Sequence, residues 1–144
     1  MIFTLTVKCV FGAYLKDECI RVIEIKKNAS LYSLHGAIQD AVEFDRDHPF
    51  EFYTANSASP FAKKHWLTEQ EDWEDKEDDW HNITLENIWP LGRKKLYYLF
   101  DFGDQWTFEI SKARREKKIT TYTSYPRVIQ SVGSNPEQYP IFDE

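Results

Sequence analysis

The sequence predicts one α+β domain spanning residues 1–144: a mixed β-sheet with one long helix packed across a face, β-grasp-like, plus an acidic, tryptophan-bearing surface insertion. Three observations lead there. Two β-rich segments open the chain, Ile2 to Val10 and Ile20 to Ile25, and a helical apolar repeat follows from Leu31 to Phe44. Two more β-rich segments, Lys94 to Phe102 and Gln105 to Ser111, flank the turn residues Gly103 and Asp104. Between the two groups, at about 56–81, the composition turns polar and acidic. A ferredoxin-like split is the competing topology for the same order of elements.

The opening segment carries Phe3, Thr4, Leu5, Thr6 and Val7, and the second repeats its character after a turn near Gly12, so together they read as a hairpin. The stretch MIFTLTVKCVF has no basic residues ahead of its apolar ones, which favours a first strand over a signal peptide and sets the expectation of a cytoplasmic protein. In that compartment Cys9 and Cys19 are expected as free thiols. Ser30 supplies an N-cap side chain, and Leu31, Leu34, Ile38, Ala41 and Val42 recur at helical spacing. Phe50 to Thr54 forms a short third strand after Pro49. Ile83 to Trp89 is a short helix capped near Asn82 and ended by Pro90 and Gly92. With Gly103 and Asp104 as a two-residue loop, Asp101 stands opposite Trp106 and Leu99 opposite Phe108. Asp101 then shares a face with large apolar side chains and must be hydrogen-bonded. The turn-rich tail after Tyr125-Pro126 is expected to wrap over the sheet.

Composition narrows the class. Aromatic residues make up 16% of the chain, too many for a disordered polymer. Mean hydropathy is −0.60 and there is no long apolar run, so no membrane association is expected. The net charge of −6 is uneven: eight of the 24 carboxylates lie between Glu69 and Asp79, with Lys76 as their single cation. A basic patch follows at Lys112, Arg114, Arg115, Lys117 and Lys118.

Trp66, Trp73 and Trp80 are spaced seven apart, so a helix would align the three indoles in one stripe on an acidic rod. Eight carboxylates cannot be desolvated together, which puts this insertion on the surface with its indoles covered by the body of the protein or by a protein partner. The three tryptophans are therefore candidate partner-binding residues.

Catalytic signatures are scarce. Asp101-Phe102-Gly103 reads DFG, but the chain has no glycine-rich phosphate loop and no HRD string, which excludes a protein kinase. There is no P-loop, GxSxG, HExxH or CxxC. His35, His48, His65 and His81 are dispersed. The constellation that could carry acid–base or metal chemistry is His35 on the helix, His48 ahead of the third strand, and Asp101 and Asp104 at the hairpin. Nothing in their spacing makes them converge, and no metal or cofactor is expected.

The strings LYSLHGAIQDAVEFDRDHPFEFY, YYLFDFGDQWTFEI and YPRVIQSVGSNPEQYP resemble the plasmid pRiA4b ORF-3-like family across nearly the whole chain outside the insertion. Leu34-His35, Ile38-Gln39, His48, the Asp101-Phe102-Gly103-Asp104 turn with Trp106, and Tyr125-Pro126 carry the likeness. The resemblance implies an α+β fold and a largely uncharacterised group of small domains found on plasmids, in mobile elements and in prokaryotic chromosomes. It marks His35, His48, Asp101, Gly103, Asp104 and Trp106 as the candidate motif, functional or structural. Two positions depart from the family pattern. Phe108 stands where a histidine is frequent, and Ser134 where many members carry a cysteine before a Pro-Pro-Glu-Asp string, which weakens any metal or catalytic centre using those groups.

The function expected from all this is a non-enzymatic interaction or accessory module, associated with mobile elements and acting through a protein partner. The alternatives are a metal-assisted hydrolase built on His35, His48, Asp101 and Asp104, and a nucleic-acid-binding protein using the basic patch with Tyr122 and Tyr125. The charge of −6 disfavours the last.

Overall fold

The computed structural model describes residues 1–67 and 79–140. The elements in order are β1 (Ile2–Phe11), β2 (Ile20–Lys26), α1 (Leu31–Val42), β3 (Phe50–Ala55), β4 (His65–Trp66), α2 (Leu85–Ile88), β5 (Lys95–Phe100), β6 (Trp106–Lys112) and β7 (Arg127–Val132). The strands form one sheet in the order β4-β3-β5-β6-β1-β2-β7.

Every pairing in that sheet is antiparallel, so the expected mixed, β-grasp-like sheet is not what the chain builds. The chain after α1 does not return beside β1; it starts β3 on the far side of β5, and β1 is flanked instead by β2 and β6. The long helix is also corrected. The 12 residues of α1 span about 18 Å, whereas seven strands span about 29 Å. The protein is an antiparallel β-sheet with small helices.

Local chemistry explains the elements. Phe3, Leu5, Val7 and Cys9 alternate into the core along β1, with Thr4, Thr6 and Lys8 between them more exposed. Cys9 and Cys19 are buried free thiols, joined through the Cys9 N–H and the Cys19 carbonyl at 3.0 Å. Ser30 Oγ accepts the Ser33 N–H at 3.1 Å at the start of α1, and Glu43 in the left-handed region (φ 59°) ends it. Leu31, Leu34, Ile38 and Val42 face the sheet core. Strand β3 is buried on both sides, Phe50 and Phe52 in the main core and Tyr53 and Ala55 in a smaller cluster with Tyr97. Gly12 lies under the Trp106 ring, where an added Cβ would stand 2.1 Å from Cε3.

The tryptophan stripe does not form. Trp66 belongs to β4, Trp80 lies in a helical turn at 79–82 and is fully buried against Phe50 and Phe52, and Trp73 lies outside the described residues, as does the segment 68–78. Heptad spacing aligns side chains only within a continuous helix, and a strand at Trp66 breaks that condition. The tail is corrected as well. Its residues Arg127–Val132 do not wrap over the sheet but extend it, pairing with β2 as an edge strand.

Candidate functional site

The β5–β6 connection is longer than the expected two-residue loop. Phe100 pairs with Trp106 and Leu99 with Thr107, one residue out of the predicted register. Asp101 causes the difference. It leaves the strand at φ 62°, and its Oδ1 accepts the N–H groups of Gly103 (3.1 Å) and Asp104 (3.3 Å). Gln105, also at positive φ, then donates its N–H to the Asp101 carbonyl at 2.6 Å. Gly103 contributes a backbone donor, and Trp106 plugs the core against Phe44, with ring centroids 5.1 Å apart.

His48 approaches from the α1–β3 segment. Its Nε2 lies 3.4 Å from Asp101 Oδ2, 3.8 Å from Asp47 Oδ1 and 2.8 Å from the Tyr139 hydroxyl. The Tyr139 O–H donates to Asp47 Oδ2 at 2.6 Å, which leaves its oxygen to accept from the His48 N–H. The Tyr139 hydrogen bond is the main cause holding the Asp47 carboxyl below its usual range, and the same bond pushes the Tyr139 phenol up to about 12. Burial, with Asp101 beside it, holds the Asp104 carboxyl above its usual range. Gln138 completes the arrangement by accepting the Asp45 N–H (2.7 Å) and donating to Asp47 Oδ1 (3.0 Å). The C-terminal segment thus latches the α1–β3 connection to the hairpin turn.

His35 is elsewhere. It is buried on α1, its ring stacked on Phe50 at 3.8 Å between centroids and 9° between planes. Its Nδ1 lies 2.5 Å from the Tyr98 hydroxyl, whose oxygen accepts from Gln39 Nε2 at 3.0 Å. The Tyr98 O–H therefore donates to Nδ1 and the imidazole proton resides on Nε2. Burial lowers the His35 pKa to about 4, so the ring is neutral near pH 7. Gln39 Oε1 accepts the Arg46 N–H at 3.2 Å, which ties this buried network to the segment that carries His48.

The structure thus unites His48, Asp101 and Asp104 around one turn and places His35 in a separate, wholly buried network. The four residues weighed from the sequence do not meet at one place, His35 being stacked on Phe50 while His48 faces Asp101. Among the described residues, no group of three or more His, Cys, Asp or Glu side chains is arranged to hold a metal ion. Phe108 is a core residue packed on Phe44 and Tyr98. Sequence reading missed Asp47, Gln138 and Tyr139, whose only sequence signal was the polar Asp45 to His48 run, and it missed Tyr98 and Gln39 as polar partners of His35.

The fold and the turn define a class: a single antiparallel sheet with a three-turn helix on its core and a polar latch between the β5–β6 turn and the C-terminal segment. The chain belongs to the plasmid pRiA4b ORF-3-like protein family, whose profile matches residues 5–138. Among solved structures it is similar to the crystal structure of a protein of unknown function, MM3350, from Methanosarcina mazei Go1. The two share 20% identity with a TM-score of 0.64, over 93% of this chain and 70% of that one, which shows the fold alone. No curated protein matches the chain. Among the described residues no helix is long and apolar enough to cross a membrane.

Proposed function

We propose that the chain is a non-enzymatic protein-interaction module of the cytoplasm that receives an extended strand of a partner along β7. One observation carries this: β7 is a terminal strand of the sheet, and all six of its residues are exposed, Val128, Ile129 and Val132 among them. The opposite edge, β4, has only two residues. A short edge strand offers little to pair with, whereas a six-residue strand with three β-branched side chains is the kind of edge that binds by strand addition. The plasmid name of the family supports an accessory role on mobile elements.

The test compares the parent with Ile129→Lys and Val132→Lys. Charges on an edge strand oppose pairing without entering the core, so both variants should melt like the parent. The reading expects a partner that co-purifies with the parent, binds it directly once purified, and is lost from both variants. Partners retained equally by all three proteins would refute it.

A further inference from the structure

We propose that the basic cavity at the start of β5 binds a phosphorylated small molecule of nucleotide size. The cavity has a volume of about 420 Å³, within the span common for small-molecule sites. It is a product of antiparallel pairing. Because Leu96 faces Ile110, the beginning of β5 lies beside the end of β6. Lys94 and Lys95 are thereby brought against Lys112, and the chain leaving β6 adds Arg114. On the other side a turn closed by the Lys94 N–H on the Leu91 carbonyl (3.2 Å), with Gly92 at φ 64°, adds Arg93 to the lining. Trp89, Pro90 and Leu91 supply an apolar part, with the half-buried indole fixed edge-on to Phe3 at 6.0 Å.

The charges of this cavity are largely uncompensated. Lys95 pairs with Glu109 at 3.0 Å. Lys112 donates to the Ala113 carbonyl and lies 4.9 Å over the Phe3 ring, and neither contact cancels its charge. Among the described residues Arg93, Lys94 and Arg114 have no carboxylate within ion-pair distance. A concave basic site on a chain of net charge −6 is a local arrangement, not a reflection of composition. Guanidinium groups bind phosphate oxygens in pairs, and the apolar part suits a planar ring. A long nucleic acid would need the basic strip to continue, but Lys117 is already committed to Glu24 at 2.9 Å.

The test is calorimetric titration of the full chain with ATP, AMP, inorganic phosphate and a single-stranded oligothymidylate, run beside an Arg93→Ala/Arg114→Ala double variant and, as control, Lys63→Ala, an exposed lysine of the β3–β4 connection that does not line the cavity. Arg93 and Arg114 are exposed, so the double variant should keep the parent's melting curve; if it does not, Arg93→Gln alone replaces it. Expected are ATP bound more tightly than AMP, AMP more tightly than phosphate, a loss of about tenfold or more for ATP in the double variant, and no change in Lys63→Ala. Absence of ATP binding, equal ATP binding by parent and double variant, or tighter binding of the oligothymidylate than of ATP would each overturn the proposal.

Discussion

His48 and Asp101 face each other across the β5–β6 turn, with Nε2 3.4 Å from Oδ2, while the other oxygen of the same carboxylate holds the turn through two backbone N–H groups. One carboxylate therefore closes the hairpin locally and ties it to the segment that leaves α1.

Asp101→Ala should lower stability by about 1 to 3 kcal/mol, because it strips two N–H groups of their acceptor and puts alanine at positive φ. Asp101→Asn keeps an acceptor and tolerates that backbone conformation, so it should cost less, and Asp101→Gly should fall between them. Urea melts of the three variants give the order. Equal losses for Ala and Asn would mean that the His48 contact, not the turn, dominates.

His35 predicts a pH dependence. Its folded pKa of about 4 lies below the ordinary 6.5, so between those values the unfolded chain binds more protons than the folded one. Stability contributed by the neutral ring is complete above the unfolded pKa and is lost as pH falls through the folded one, up to about 3 kcal/mol in all. His35→Gln should flatten that part of the profile, measured as the urea midpoint against pH.

Tyr98→Phe removes the hydroxyl shared by His35 and Gln39 inside the core. Leaving those groups short of a partner should cost about 1 to 3 kcal/mol. A double-mutant cycle with His35→Gln should show coupling, since both variants break one network; additive losses would refute the shared role.

Tyr139→Phe acts at the exposed end of the latch. Without the phenol O–H, the Asp47 carboxyl should titrate closer to its ordinary value, which carboxyl NMR can follow. Stability should change by no more than about 0.5 kcal/mol, as for other surface contacts.

Gly12→Ala places a methyl group inside the Trp106 ring contact. The indole is fully buried and cannot move aside, so a loss of about 1 to 3 kcal/mol is expected in a urea melt. A parental midpoint would show that β1 can shift at its bulge.

Much of the fold was legible wherever periodicity has one meaning. The opening hairpin, the Ser30 cap with α1, and the strand at Phe50 follow from alternation and helical spacing. The sheet order was not legible, because β3 beside β5 and β7 beside β2 are set by contacts distant in sequence. The register at Asp101 failed for a local reason: an aspartate in the left-handed region builds a longer turn than its Gly-Asp neighbours suggest. Of the candidate site, the residue types were legible but their proximity was not: the spacing of His35, His48, Asp101 and Asp104 left open which of them meet, and only the fold sets His48 beside Asp101 and puts His35 apart. A histidine on an apolar helix face reads the same whether it meets a hydroxyl or a carboxylate. The basic patch was likewise divided, Lys112 and Arg114 lining the cavity and Lys117 paired with Glu24.

The central position of β1 has a consequence for biosynthesis. Leu5 pairs with Lys112 and Val7 with Ile110, so β1 waits for the later of its two neighbours, which is made about a hundred residues after it. While β2 and α1 can settle early, one edge of β1 stays open on the nascent chain until β6 has left the ribosome, and such long-range pairing is slow to form and prone to aggregation meanwhile. Chains that stop short of Trp106 should therefore accumulate on chaperones or in the insoluble fraction, although they contain the whole opening hairpin and its helix.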